Sequence, residues 1–448
     1  METRRIVIIG AGPCGLACAR ALEQLGWRDW VILEREPHAG GLAASVTDPA
    51  GFTWDLGGHV VFSHFGEFDA LLTETMGEEI LSHDRSSYVR FDGRWVPYPF
   101  QNNLRYLPDE VVSECLEGLA GAPGGSSEMD FGTWMRAVFG PGITRVFMDP
   151  YNRKVWATPP EWMAAHWIAE RVSVIDYERA LRNVQDESDD VAWGPNNQFV
   201  FPAFGGTGEI YRRLSARLSG QIRYEHPVVE IDAVERTLHV ASGKSMRYAA
   251  LVSTMPLDLL VGLIGDAPAD VRAASMRLRH NGVYMVGVGY EAPLNDTKSW
   301  MYFPQDHAPF YRATNFAKYS PENVPSGDVA RYCGYMTETS YSPEKPEPRE
   351  GLEERVEAGL RASGVVAGRP PVASIHVEDI PYAYPVPTLE RDASLDVIQP
   401  WLEGHDMYSR GRFGSWRYEI GNMDHAVKMG IDVARRLVLD EPEELWST

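Results

Sequence analysis

Residues 4–36 read RRIVIIGAGPCGLACARALEQLGWRDWVILERE, and the order of residue types in this stretch decides the fold. IVII is a short β-branched run of the kind that forms a parallel strand buried on both faces. Gly10, Gly12 and Gly15 follow it as G-x-G-x-x-G. LACARALEQLG then has helical periodicity and stops at Gly26, and WVIL is a second buried strand ending at Glu34. Each glycine has its own task. Gly10 allows the tight turn, Gly12 lets the backbone approach a pyrophosphate, and Gly15 lets the helix pack closely on the strand. The helix N-terminus offers unpaired N–H groups to the phosphates. Glu34 stands where a carboxylate accepts both ribose hydroxyls, which disfavours a 2′-phosphate. The stretch therefore predicts a dinucleotide site at the start of an α/β domain. Cys14 and Cys18, one helical turn apart, are expected to be packing residues.

Two further glycine pairs extend the site. Gly40–Gly41 comes soon after the acid, which suits a cofactor that continues past its pyrophosphate. DLGGHVVFSH (55–64) places Gly57 and Gly58 directly before His59, with His64 five residues on. A glycine pair lets backbone lie against something flat or anionic, and histidine changes charge near neutral pH. His59 is the candidate for chemistry and His64 for structure.

Composition narrows the class. The chain has 448 residues, 44% hydrophobic and 23% charged, which implies more than one domain. The formal net charge of −21 argues against nucleic-acid binding. An anionic small substrate would need arginines gathered locally against that field. The apolar run LVSTMPLDLLVGLIG (251–265) is short and interrupted by Asp258, so no membrane span is expected. Cys14, Cys18, Cys115 and Cys333 match neither a metal site nor a disulfide framework. No metal is expected, and the reading is cytoplasmic.

Beyond residue 60, helical patterns dominate 65–180: EFDALLTETMG, DEVVSECLEGLAG, FGTWMRAVFG and PEWMAAHWIAERV. GAPGGS (121–126) is a flexible linker. Residues 222–256 read as strands ending in the buried run ALVSTM, a re-entry into the first domain. VYMVGVGY, SWMYFP and YCGYMT read as strands with aromatic faces, and HAVKMGIDVARRLVL as an amphipathic helix. WVPYPFQNN (95–103), PYNRKVWATPPEW (150–162), GPNNQF (194–199), PFYRATNF (309–316), YPVPTLERD (384–392) and GRFGSWRYEIGNMDH (411–425) combine aromatics, amides and arginine. That combination can stack a base, pair its edge and hold phosphate.

GGHVVFSH, WVPYPFQNN, PYNRKVWA, GPNNQFVFPAFGGTG, YFPQDHAPFYRAT, YPVPTLER and SRGRFGSWRYEIGNMDH together resemble the UDP-galactopyranose mutase family of the eukaryotic (fungal and protozoan) type, over residues 5–435. The resemblance implies an α/β fold with a discontinuous Rossmann-type FAD-binding domain (1–90, 205–270 and 400–448). It also implies a helical substrate and flap domain (91–190) and an antiparallel-sheet substrate domain (191–204 and 271–399). The implied reaction interconverts UDP-galactopyranose and UDP-galactofuranose. Reduced FAD attacks the anomeric carbon through N5, by way of an iminium, with no net redox change and NAD(P)H as a reductant. No second dinucleotide fingerprint is visible.

Residue roles follow by resemblance. His59, Arg171 and Arg312 match the catalytic group, the two arginines holding the diphosphate. Tyr98, Phe100, Gln101 and Asn152 match the uracil site, with Phe62 and Trp156 near them. Tyr302, Tyr319, Tyr384 and Tyr418 match groups assisting the arginines, and Asn196 and Trp300 line the sugar. Arg171 and Asn196 sit on flaps, and GPNN has turn composition. For FAD the matches are Gly10, Gly12, Gly15, Glu34, Arg35, Gly41, Gly57, Gly58, Val228, Arg412, Gly421, Asn422 and Met423. Met423, Val200, Phe204 and Asn315 depart from the family pattern, which bears on the sugar more than on the chemistry. A mutase for another pyrimidine-nucleotide sugar, such as a deoxy sugar on dTDP or UDP, is therefore the alternative. An amine or carotenoid oxidase on the same fold has no use for two phosphate arginines beside a base site.

Overall fold

A computed structural model of the chain describes residues 4–168, 171–191, 194, 197–218 and 220–446. Five parallel strands run in the order Met407–Ser409, Ala250–Ser253, Ile6–Ile9, Trp30–Leu33, Ile222–Arg223. The three central strands are buried along their whole length, which is why they read as unbroken apolar runs. The sheet's five strands come from three distant parts of the sequence, around residues 6–33, 222–253 and 407–409, with the re-entry at ALVSTM supplying one of the central strands. The helix Pro13–Gln24 lies against the first strand, and the helix Met423–Leu439 crosses it. Both contacts are backbone-close. A Cβ on Gly15 would lie 2.0 Å from the Gly10 carbonyl oxygen, and one on Gly430 would lie 2.2 Å from that of Cys14. Gly10 itself has φ +101°. Cys14 and Cys18 are buried and free, as packing residues should be.

The second layer is a seven-stranded sheet in the order Val372–Val386, Arg279–Tyr290, Cys333–Tyr341, Arg312–Asn315, Trp300–Tyr302, Ser87–Phe91, Arg94–Pro97. Its glycines have a purpose. Cβ atoms on Gly287 and Gly289 would fall 2.5 Å and 2.4 Å from the rings of Trp54 and Phe52. The strand thus carries a trough into which two stacked aromatics from the first layer sink. That seat fixes the chain just before Asp55–His64 and suspends the glycine–histidine segment over the sheet. A helical layer, Asp109–Ala120, Phe131–Ile143, Asp149–Trp156 and Tyr177–Gln185, closes the other side around Phe100, Met135, Phe147 and Trp156.

Several elements cross the expected boundaries or differ from the expected pattern. A boundary at residue 90 cuts a hairpin: Ser87–Phe91 and Arg94–Pro97 form the edge of the large sheet, and Ser87–Phe91 pairs parallel with Trp300–Tyr302, so that sheet is not wholly antiparallel. Gln198–Pro202 joins Ile80–Asp84 instead of the large sheet. A boundary at 399/400 falls inside the helix Arg391–Glu403, whose Leu395, Ile398 and Leu402 pack with Leu251 and Met407 of the parallel-sheet layer. PEWMAAHWIAERV is not a long helix either. After one turn at Pro160–Trp162, Met163 bridges to Thr388 and Ala164 to Asp130. Met163, Ala164, Ala165, Trp167 and Ile168 are buried and only His166 between them is exposed, too narrow a polar face for a surface helix.

The Gly15–Gly10 contact gives a direct test. Gly15→Ala places a methyl into a backbone carbonyl that cannot step aside, so we predict a loss of about 3 kcal/mol or more of stability, read as a lowered urea midpoint. An unchanged midpoint would show that the helix does not need its close seat.

Candidate functional site

The dinucleotide groups assemble as expected. The Glu34 carboxylate is buried and accepts hydrogen bonds from Ala11 N–H at 2.6 Å and Glu36 N–H at 2.9 Å. It therefore stands over the glycine turn. Gly12 faces Gly41: a Cβ on Gly41 would lie 3.3 Å from Gly12 Cα, whereas one on Gly12 would meet nothing nearer than 3.9 Å. The helix Pro13–Gln24 begins without a side-chain cap or an acid in its first turn, leaving its N–H groups for an anion. The helix Met423–Leu439 also starts uncapped, at Asn422. Val228 opens the strand Val228–Asp232 at a register break. Arg35 is exposed and pairs with Glu36, so nothing in its packing ties it to this groove. These features fit FAD: a phosphate turn, a ribose acid and a second uncapped helix on the far side.

The glycine–histidine segment lies between the two layers. Gly58 N–H donates to Glu338 Oε1 at 2.7 Å, and a Cβ there would meet Trp300 Nε1 and Thr314 Oγ1 at 3.1 Å. Both of those atoms, and His59 Nδ1, are buried without a hydrogen-bond partner among the described residues. Unpaired buried polar atoms are costly, so their gathering at one place marks where a polar ligand completes the structure. Burial lowers the His59 imidazole to about 4, with the positive charges of Arg412 and Arg312 acting the same way and Glu338 opposing. His59 is therefore neutral near pH 7. His64 is held elsewhere. Its backbone N–H and Nδ1 lie 3.1 Å and 2.7 Å from Asp424 Oδ2, and His425 shares the same carboxylate. His64, Asp424 and His425 place three ligand-type atoms within 4.8 Å, but the carboxylate already meets two backbone N–H groups and both rings.

Arg312 and Arg171 each reach one of two neighbouring tyrosines, Tyr384 and Tyr418, whose rings are 5.9 Å apart. Arg312 lies over the Trp300 ring at 5.2 Å and 3.5 Å from the Tyr384 hydroxyl. Arg171 donates to Asn422 Oδ1 at 3.0 Å and the Glu419 carbonyl at 2.6 Å, with its guanidinium 5.0 Å from the Tyr418 ring. Arg412 is a third cation here, over the Tyr384 ring at 4.8 Å and the Tyr418 ring at 5.7 Å. It donates to the carbonyls of Gly421 and Ala383. The pocket is thus cationic inside a strongly acidic protein.

An aromatic wall continues from it. Tyr302 meets Tyr98 at 4.9 Å, and Trp156 meets Tyr418 at 4.8 Å and Tyr384 at 5.9 Å. Gln101 donates to the Ser173 carbonyl at 2.5 Å, while its Oε1 is buried without a hydrogen-bond partner among the described residues. Phe100 is different: it is stacked on Phe147 at 4.6 Å and wholly buried, a core side chain that seats Gln101. Asn152 turns its amide nitrogen to the Met148 carbonyl. Tyr319 packs among Phe199, Phe201 and Phe316, with no hydrogen-bond partner for its hydroxyl among the described residues. Phe62 stands edge-on to His64 and lines, with His83 and Gln198, an open cavity of about 520 Å³. Asn196 lies outside the described residues.

Sequence reasoning missed Glu338, Tyr311 and Asp55. Glu338 had a signal, a lone acid inside the apolar strand CGYMTETSY. Tyr311 lay next to the singled-out Arg312, and Asp55 opened the quoted segment.

The flavin-containing amine oxidoreductase family model matches residues 13–438. A solved structure of reduced UDP-galactopyranose mutase is 38% identical, covering 99% of this chain and 96% of that one, with a TM-score of 0.95. Cyclohexylamine oxidase from Brevibacterium oxydans (17% identity, 98% and 99% coverage, TM-score 0.70) and a fatty acid isomerase from P. acnes (18%, 97% and 99%, 0.65) share the fold.

Asp55 offers a pH test. Burial raises its carboxyl to about 7, against hydrogen bonds from Ser45 and Thr207. A carboxyl raised in the folded state stabilises fully below its ordinary value near 4, and that contribution is lost as pH rises through 7. We predict that Asp55→Asn flattens the fall in unfolding free energy between about pH 4 and 7, by up to roughly 4 kcal/mol. Parallel curves for the two proteins would contradict it.

Proposed function

The chain belongs to the flavin-containing amine oxidoreductase family and, within it, to the UDP-galactopyranose mutases, and from that premise we propose that it interconverts UDP-galactopyranose and UDP-galactofuranose, as an enzyme of the eukaryotic type. Its cofactor is FAD. The single observation that carries the reading is the meeting of Arg171, Arg312 and Arg412 with the Tyr384–Tyr418 wall, next to the unpartnered atoms of His59, Trp300 and Thr314. Arginines bind diphosphate oxygens in pairs of parallel hydrogen bonds. An amine or hydrocarbon substrate offers nothing for three partly buried guanidiniums gathered around the same two tyrosines.

The flavin, when bound and reduced, supplies the nucleophile for the anomeric carbon. The protein's residues do the rest. Gln101 Oε1 accepts from the uracil edge, and Tyr98 with Tyr302 gives the base an aromatic face. Arg171 and Arg312 hold the diphosphate as it leaves and returns, so the departing charge never meets bulk water. Asn422 and the Glu419 carbonyl orient Arg171. Neutral His59, fixed by the glycine pair, can accept or present a hydrogen bond near the reacting sugar without adding charge. Trp300 Nε1 and Thr314 Oγ1 supply polar contacts to the sugar or the flavin edge.

Calorimetric titration with UDP tests the nucleotide site. The account expects binding to the holoenzyme, weakened roughly 10- to 100-fold in Arg171→Ala, or about 1.5–3 kcal/mol for charged hydrogen bonds lost. Absence of UDP binding in the unaltered protein would remove the reading. Tight binding of dTDP in preference to UDP would instead favour the deoxy-sugar alternative.

A further inference from the structure

Glu338 is the carboxylate on which the flavin-side loop and the phosphate-side arginine both depend. It sits directly opposite Arg312 in the ladder between Arg312–Asn315 and Cys333–Tyr341, and it is 2% exposed. Its Oε1 accepts from Gly58 N–H at 2.7 Å and from Arg312 Nε at 3.0 Å. Arg312 Nη2 lies 2.7 Å from both oxygens, and the Tyr311 hydroxyl donates to Oε2. Two carboxylate oxygens offer about four lone pairs, so the group is saturated. Burial would raise this carboxyl, but Arg312 together with the hydrogen bonds from Tyr311, Arg312 and Gly58 outweighs it and keeps the group ionised. The Arg312 edge formed by Nε and Nη2 is turned to Glu338, which leaves the Nη1 edge for a ligand.

One carboxylate therefore fixes both the plane of a substrate-binding guanidinium and the position of the Gly58 peptide. The two cannot move independently. A change at Arg312 alters the charge and angle that Gly58 N–H meets, and a shift of the Gly58 peptide frees a lone pair that Arg312 can take. We propose that Glu338 is a positioning residue that links occupancy of the diphosphate site to the placement of the Gly57–His59 segment against the flavin. The proposal rests on the nucleotide reading above.

The test compares the FAD holoenzyme with Glu338→Asp and Glu338→Gln. UDP binding is read by calorimetry and the flavin response by the visible absorption band in the same titration. In the unaltered protein UDP is expected to bind and to shift the flavin band. Glu338→Asp keeps the charge beside Arg312 but draws it back by one methylene from Gly58. It should bind UDP within threefold of the parent, yet lose at least four-fifths of the band shift at saturation. Glu338→Gln should lose the shift as well, with weaker binding; if it does not fold with flavin, the aspartate variant alone decides. Tyr311→Phe leaves the contacts to Gly58 and Arg312 in place and should keep the shift. A full band shift in Glu338→Asp would overturn the link, as would UDP binding to the parent with no shift at all. No UDP binding to the parent in the calorimeter would overturn the nucleotide reading, and the link with it.

Discussion

The buried ion pair between Arg312 and Glu338 is the interaction around which the site is arranged. Two charges taken out of water are stable only when each is matched and its remaining hydrogen-bonding capacity is filled, and removing one partner costs about 3–5 kcal/mol. Here the match is set by strand register, since Arg312 and Glu338 are cross-strand neighbours. The remaining capacity is filled by Tyr311 and by the backbone of Gly58. The pair thus ties the large sheet to the glycine–histidine segment that descends from the parallel-sheet layer. The trough that receives Phe52 and Trp54 serves the same end, because it fixes where that segment begins.

Charge is distributed to the same purpose. The chain carries a formal charge of −21, yet Arg171, Arg312 and Arg412 meet in one space, and each is braced by neutral acceptors or by Glu338. Carbonyls of Glu419, Gly421 and Ala383 orient the guanidiniums without cancelling their charge. An anionic ligand that enters is held by a strong local field. Among the described residues, no helix is long and apolar enough to cross a membrane.

Much of this was legible in the sequence, for identifiable reasons. The strand–turn–helix–strand at 4–36 has strong local grammar: a buried apolar run, glycines at fixed offsets and a terminal acid. Its structure follows that reading to Gly15 and Glu34. The amphipathic helix at the C-terminus and the glycine-marked strand 283–290 were readable from periodicity. PEWMAAHWIAERV misled because its apolar residues from Met163 to Ile168 are buried in near succession, so helical spacing carried no information there. Phe100 looked like a ligand contact from its neighbours, but its ring is packed on Phe147. Glu338 was passed over because nothing local says that Arg312 would lie opposite it; cross-strand register is a tertiary fact. A hairpin spans the expected boundary at 90 and a helix that at 399 for the same reason, since both commit to neighbours far away in sequence.

The central claim is that reduced flavin and an arginine-lined nucleotide site act together in a sugar-ring isomerisation. The most direct measurement is conversion itself. The yellow holoenzyme is reduced anaerobically, incubated with UDP-galactofuranose, and the sugar products are separated by chromatography, with the oxidised enzyme run alongside. The account predicts pyranose formation by the reduced enzyme and none by the oxidised one. Equal conversion in both states, or UDP binding with no conversion in either, would contradict it.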